Sequence, residues 1–330
     1  MSHKLRVACY GINGHQIVGR LARHPRASLV AASAIPPAYL REQLGAEAAS
    51  RVRIEPDLDA LIAAPDVDLV SLCSPRRDEQ FDHAVRCLRA GKHVLAEKPA
   101  AMTVGELEEL QRVMAGSSVQ FRQMGACERE ALLSAIRRTV DSGRLGKAVQ
   151  AFALKSYPYH ERRPQDRGVD GGLIRQAGIH GVRFIQLATG LKAVRVCGFD
   201  TGRGNPGKGE LQMGASIAME LEGGAVALLA CNYCNPHGIG YWGNDHLRIH
   251  ATGGMIEAVD AMTRCRMVVG DGKEEPIPDV PSSYPDFFDS YVDYLLDGTP
   301  MPYSLEDDLW ALRTVIRAQE AVDLARTLTV

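Results

Sequence analysis

No stretch of this sequence approaches the ~20 consecutive apolar residues that a membrane-spanning helix needs. The opening residues, "MSHKLRVACYG", carry no apolar leader region and enter a strand pattern at once, so the cytoplasm is the expected compartment. Neither sign of charge is in excess, with 38 basic residues against 40 acidic ones. That argues against broad binding to nucleic acid or to an anionic membrane. A second cysteine pair is missing too. Of the eight cysteines (9, 73, 87, 127, 197, 231, 234 and 265), only Cys231 and Cys234 form a C-x-x-C, and a zinc site needs two more ligands. On a strand, residues three apart face opposite sides, so these two read as structural thiols. The histidines have no metal-ligand spacing, and no metal is expected. There is no internal repeat and no low-complexity segment.

What remains is a chain of 330 residues with ordinary apolar and charged fractions, enough for two domains. Residues 1–125 alternate strand and helix. "LRVACYG", "SLVAASAI", "VDLVSLCS", "HVLAE" and "SVQFRQMG" read as strands. Between them, "DEQFDHAVRCLRAG" has helical spacing and a glycine stop, and "TVGELEELQRVMAG" opens with a capping signal. Such alternation predicts a doubly wound parallel sheet of Rossmann type, with ligands at the carboxyl ends of the strands. Residues 126–330 predict an α+β domain. Its helices are expected at about 128–142 and 172–189 and in two more at the carboxyl end, and the extended runs between them suggest a large open, mainly antiparallel sheet. The last helix is expected to pack back on the first domain.

Three stretches carry chemistry. "YGINGHQIVGR", residues 10–20, sits where a dinucleotide-binding domain keeps its phosphate loop. "AGKHVLAEKPAAMT", residues 90–103, ends a strand in Glu97-Lys98-Pro99 at the carboxyl edge of the parallel sheet. "GGLIRQAGIHGVRFIQLATG" is the long helix, with Gln176, His180 and Arg183 on one face at i, i+4 and i+7.

With "DVDLVSLCSP", "DSGRLGKAVQAFAL", "LRIHATGGMIE" and "DSYVDYLLDGTPMPYSLEDDLWAL", these resemble the glucose–fructose oxidoreductase and inositol dehydrogenase (Gfo/Idh/MocA) family over nearly the whole chain. The resemblance implies an oxidoreductase that uses NAD or NADP on a sugar, a polyol or a similar small, possibly anionic, substrate. It implies a cofactor held by Gly11, Asn13, Gly14, His15, Gln16, Ser33, Ser74, Pro75 and Glu97. Lys98, His180 and Gln176 would be catalytic, with the lysine near the substrate and the histidine as acid/base. It also implies a homo-dimer or homo-tetramer through the carboxyl-terminal sheet.

The chain departs from the family pattern at four places. The G-x-G-x-x-G template wants glycine at 13 and 16, where Asn13 and Gln16 stand. The second strand ends in Ser33 and Ala34, with no carboxylate for an adenine ribose. Gln176 and Arg183 stand where the helix motif has acids. In "SPRRDEQ" a histidine of the family gives way to Glu79 and Gln80, and Arg76 and Arg77 are expected at the crevice mouth. Arg76, Arg77 and Arg183, with Tyr157, are therefore the expected substrate contacts, since guanidinium groups suit an anion. The alternative to hydride transfer is a family member that has lost it and serves as a non-redox lyase or isomerase, or as a ligand-sensing or partner-binding protein.

Overall fold

The computed structural model describes residues 4–125, 129–281 and 286–330. Cys127 and the first residue of the helix expected at 128–142 lie outside them. The described residues form two compact units, 4–125 with 168–170 and 286–305, and 129–167 with 171–281 and 306–330.

The first unit is a six-stranded parallel sheet. Its strands are β1 (Leu5–Tyr10), β2 (Ala27–Ser33), β3 (Arg53–Ile54), β4 (Leu69–Leu72), β5 (His93–Ala96) and β6 (Phe121–Gln123), in the order β3-β2-β1-β4-β5-β6. The apolar runs of β1, β4 and β5 are buried almost throughout, as strands covered on both faces must be. The order in which strands are added reverses between β1 and β4, which creates the crevice where such sheets bind ligands. Sequence periodicity gave five of these strands; β3 has two residues, too few to show alternation. The capping signal holds, because the Thr103 hydroxyl accepts the Glu106 amide and the Glu106 carboxylate accepts that of Thr103, each at 3.2 Å.

The helix Phe287–Asp297 belongs to this unit. Its Tyr291 hydroxyl donates to the carbonyls of Val94 (3.1 Å) and Gln120 (2.8 Å). Arg26 pairs with Asp293 and Asp297, both at 2.6 Å. The last helix, Leu305–Asp323, clusters from Glu306 onward with the second unit. There Trp310 donates its indole N–H to Ala193 at 3.0 Å. The difference lies in polar partners: the penultimate helix satisfies carbonyls at the edge of β5 and β6, and the last one satisfies the second sheet.

The second unit is built on eight strands: β7 (Ala148–Ser156), β8 (Ala193–Thr201), β9 (Gly214–Leu221), β10 (Val226–Asn232), β11 (His246–Ala251), β12 (Gly254–Val259), β13 (Arg264–Val269) and β14 (Leu328–Thr329). Their order is β13-β12-β11-β7-β10-β9-β8-β14, antiparallel except where β7 meets β10. Ala151, Ala153, Ile217, Met219, Ala227 and Leu229 are buried on one face, against which the helix Ile179–Thr189 packs. The opposite face carries Phe199, 82% exposed.

The helix expected at 172–189 is present and unbroken, but it opens on two unusual glycines and contains a π-helical turn. Gly171 and Gly172 have positive φ, Ile174–Gly178 is one π-helical turn, and the α-helix proper is Ile179–Thr189. A β-carbon on Gly181 would lie 2.2 Å from Leu229 Cδ1, so the helix packs closely onto β10 and a larger residue there would have to displace the Leu229 side chain. Among the described residues, no helix is long and apolar enough to cross a membrane.

Candidate functional site

In the first unit, the loop after β1 is tied to the strand ends around it. Gly11 has φ +69° and a β-carbon there would lie 2.1 Å from the Cys73 carbonyl oxygen, so this position admits glycine alone. Its N–H bonds the Ser33 carbonyl (3.0 Å), and the Asn13 N–H bonds that of Cys73 (3.2 Å). Asn13 turns its amide onto the carbonyls of Pro75 (3.1 Å) and Val169 (2.6 Å). Gly14 (φ +126°) leaves room for a carboxylate, since a β-carbon would fall 2.6 Å from Glu97 Oε2.

Gln16 explains how the loop manages without its third glycine. Its side chain folds inward, donating to the Gly11 carbonyl (2.9 Å) and accepting from Ser71 Oγ (2.7 Å) and the Ile17 N–H (2.9 Å). It fills the space a close helix would have taken, and the first helix shrinks to Val18–Leu21.

Glu97 is buried behind the loop. Its carboxylate accepts the His15 N–H at 2.6 Å and lies 2.9 Å from His15 Nδ1, with Lys98 Nζ 3.9 Å from its other oxygen. Burial alone would raise its pKa. The His15 ring, by charge and hydrogen bond, and then Lys98 and Arg77, outweigh that and hold the carboxyl well below the usual range. Lys98 is 2% exposed and is joined to Pro99 by a cis peptide bond.

Gln80, which the sequence reading treated only as a replaced histidine, is the hub of this edge. It is fully buried, accepts from the Ser74 N–H (3.2 Å) and Arg77 (2.6 Å), and donates to the carbonyls of Glu97 and Pro99. Ser74 Oγ meets His83 Nδ1 at 2.9 Å. Arg77 was expected at the crevice mouth, yet it is 2% exposed and clamps the Asn13 carbonyl at 2.6 Å. No local pattern signals this, because the partners come from three separate segments, around 13, at 74–83 and at 97–99. Arg76 does reach solvent, paired with Asp78 at 2.7 Å. At the end of β2, Ser33 is buried, and Ala34 is exposed with φ +54°; no acid stands there.

In the second unit, His180 is 4% exposed, just past the π-helical turn that carries Gln176. The Tyr233 hydroxyl donates to Gln176 Oε1 at 3.4 Å. Arg183 does not add an unmatched cation to this face. Its guanidinium meets Asp308 of the last helix in a buried pair, and Gln186 donates to the Asp307 carbonyl at 2.9 Å. Asp308 is thus the acid that the motif itself lacks, supplied from 125 residues along the chain. Tyr157 ends β7 under Lys155, whose Nζ is 4.7 Å from its ring centre and 2.8 Å from Asp245. Among the described residues no cluster of His, Cys, Asp or Glu could hold a metal ion. Cys231 is buried and Cys234 exposed, and burial pushes the Cys231 thiol up to about 12, as suits an inert thiol.

The loop fits a dinucleotide. It has two positions without room for a β-carbon, a left-handed turn directly after β1, and polar strand ends on either side. Two family models match the chain, one described as an oxidoreductase family with an NAD-binding Rossmann fold over residues 6–124 and the other as the GFO/IDH/MocA C-terminal domain over 133–257. The inositol 2-dehydrogenase of Rhizobium meliloti is 24% identical over 83% of this chain and 84% of that protein. An uncharacterized oxidoreductase of Escherichia coli is 33% identical over 35% of this chain, and that match spans only about a third, 34%, of its own length. A solved Thermotoga maritima structure, itself named only as a candidate oxidoreductase, superposes with a TM-score of 0.88 over 99% of this chain and 100% of that one, at 22% identity, which speaks to the fold. These matches favour the redox reading of the sequence over the non-redox alternative. The chain belongs to the Gfo/Idh/MocA family of NAD-binding oxidoreductases.

Proposed function

We propose that the protein interconverts a secondary alcohol and a ketone on a small sugar- or polyol-like substrate, with NAD or NADP as cofactor. The observation that carries this reading is a buried lysine, Lys98, following β5 at the carboxyl edge of a sheet whose glycine loop is intact in shape. The relative named inositol 2-dehydrogenase supports a polyol ring as the substrate class.

Gly11, Asn13, Gly14, His15, Gln16, Ser33, Ser74, Pro75 and Glu97 would hold the cofactor, which when bound supplies the two-electron redox couple. The Lys98 ammonium stabilises negative charge on the reacting oxygen. His180 takes the hydroxyl proton, since an imidazole titrates near the working pH. Gln176 holds the substrate by hydrogen bonds without exchanging a proton, and its amide is oriented by Tyr233. Arg76 and Tyr157 contact the substrate. Arg77 and Arg183 act indirectly, by fixing the loop and the helix. The same reading places the protein in the cytoplasm as a homo-oligomer joined through the open face of the second sheet.

Calorimetric titration with NADH and with NADPH tests the proposal, followed by a screen of cyclic polyols and keto-acids. Micromolar binding of either nucleotide is expected. In Lys98→Met and His180→Asn, kcat is expected to fall by about 10²- to 10⁴-fold while nucleotide affinity changes less than about threefold. A folded protein that binds neither nucleotide would sink the hydride-transfer reading.

A further inference from the structure

Guanidinium groups differ in this chain by whether a partner meets their charge. Arg76 has Asp78, Arg167 has Asp323, Arg183 has Asp308, and Arg77 donates to the Asn13 carbonyl and Gln80. Arg163 has none of these. It is 8% exposed, its Nε has no hydrogen-bond partner, and its one polar contact is a long 3.4 Å bond to the Pro158 carbonyl. No carboxylate is paired with it among the described residues. What holds it is aromatic: its guanidinium carbon lies 3.5 Å from the Tyr233 ring centre and 5.7 Å from that of Tyr157.

The surroundings do not neutralise it either. Asp245 pairs through Oδ2 with Lys155 at 2.8 Å, and its buried Oδ1 meets no hydrogen-bond donor, Arg163 included. His160, three residues back on the same turn, is stacked on Trp242 at 6.0 Å between ring centres. Its pKa is lowered by burial first and then by Arg163, Arg162 and His237, all of them basic. A buried cation facing only rings and other cations is costly in a folded protein unless something supplies the missing charge. A planar fork of N–H groups is best matched by two oxygens of one anion.

We infer that Arg163 anchors an anionic oxygen group of the substrate, a carboxylate or a phosphate monoester, with Tyr233 and Tyr157 as the walls that hold its fork flat. The inference rests on the dehydrogenase reading only for the word substrate. Tyr233 ties the anchor to the reacting end, because its ring carries Arg163 and its hydroxyl reaches Gln176. The anion is therefore one tyrosine away from the residue four before His180. The aromatic contacts make Arg rather than Lys the fitting residue, since they grip a plane and leave its edge to the ligand.

Calorimetry on the full chain without nucleotide, at constant ionic strength, tests this with glucose, glucuronate and glucose 6-phosphate. These present one ring with a neutral, a carboxylate or a phosphate substituent. At least one anion is expected to bind about tenfold more tightly than glucose, and the stronger of the two identifies the group. Arg163→Met should shrink that gap to within about twofold, and Arg163→Lys should keep part of it. Equal binding of all three, no binding of any at about 10 mM, or an anion preference that survives in a folded Arg163→Met overturns the inference. If the Met variant does not fold, the Lys variant decides, and an unchanged anion preference there counts against it. No nicotinamide is present, so failure here leaves the redox reading standing, and failure to bind NADH or NADPH leaves this one standing.

Discussion

Two residues show how little room the fold leaves at single positions. Gly11 combines a left-handed backbone with a carbonyl 2.1 Å from where a β-carbon would sit. Gly11→Ala should cost about 2 kcal/mol in urea unfolding and abolish nucleotide binding, because relief requires moving either β1 or the Cys73 strand end. A variant of wild-type stability that still binds NADH would show that the loop is softer than its geometry implies. Asp308 presents the electrostatic counterpart. It is 1% exposed and pairs with buried Arg183. Asp308→Ala leaves that guanidinium buried beside an apolar methyl, at a cost of about 3 kcal/mol. The double change Arg183→Met with Asp308→Leu should recover most of the loss, since the penalty belongs to the unpaired charge rather than to the pair. Urea midpoints of the wild type and the two variants read this directly. Equal loss in the single and double variants would assign the effect to packing.

At the scale of elements, the first unit has a built-in pH response. His83 lies on the helix Gln80–Arg89 and His93 opens β5. Burial is the largest influence on both and lowers each below the ordinary 6.5. His93 Nδ1 accepts the Gln120 N–H at 2.9 Å, which it can do only unprotonated. A folded-state pKa below the unfolded one means that the unfolded chain takes up the proton first. Their contribution is therefore complete above about pH 6.5 and is lost as pH falls through that value toward the folded pKa. Glu97 moves the opposite way in charge: its depressed carboxyl contributes above the ordinary 4.5 and gives way only in stronger acid, so it is silent in this window. The urea midpoint should drop between about pH 7.5 and 5.5, and His83→Gln with His93→Gln should flatten that slope. A midpoint that rises on acidification refutes the assignment. The same elements show what the sequence makes legible. Strands β1, β4 and β5 announce themselves by continuous apolar runs, and Thr103 with Glu106 by a local cap. The π-helical turn at Ile174–Gly178 has no signature in the apolar spacing, which reads the same as that of an ordinary helix. Lys98 and His180 stand out as candidates through the family resemblance of the segments that carry them. Gln80, Tyr233 and Asp308 do not, since Gln80 takes its role from two loops that fold over it and the other two from partners 57 and 125 residues away.

At the scale of the whole molecule, the open face of the second sheet is the surface left to explain. Register places Cys197, Ala218, Leu228, Phe152, Arg248, Glu257 and Arg266 side by side across seven strands. The row is apolar at one end and charged at the other. Glu257 is 1% exposed although it stands on this face, because Arg248 and Arg266 close over it; burial raises its carboxyl, but the hydrogen bonds and charges of the two arginines together hold it below its ordinary value. The charged end is thus self-neutralised and presents no repulsion. The apolar end presents Leu228 at 45% and Phe199 at 82% exposure. An apolar strip beside an internally matched charge ladder suits a second copy of the same face, since two-fold pairing sets each strip against its equivalent. Light scattering on the purified protein at about 50 µM should give twice the chain mass or four times it. Phe199→Asp with Leu228→Asp should give the single-chain mass while nucleotide titration still shows a folded first unit. A wild-type protein that is monomeric at that concentration removes the sheet face as a self-association surface, and the exposed Phe199 would then need a different partner.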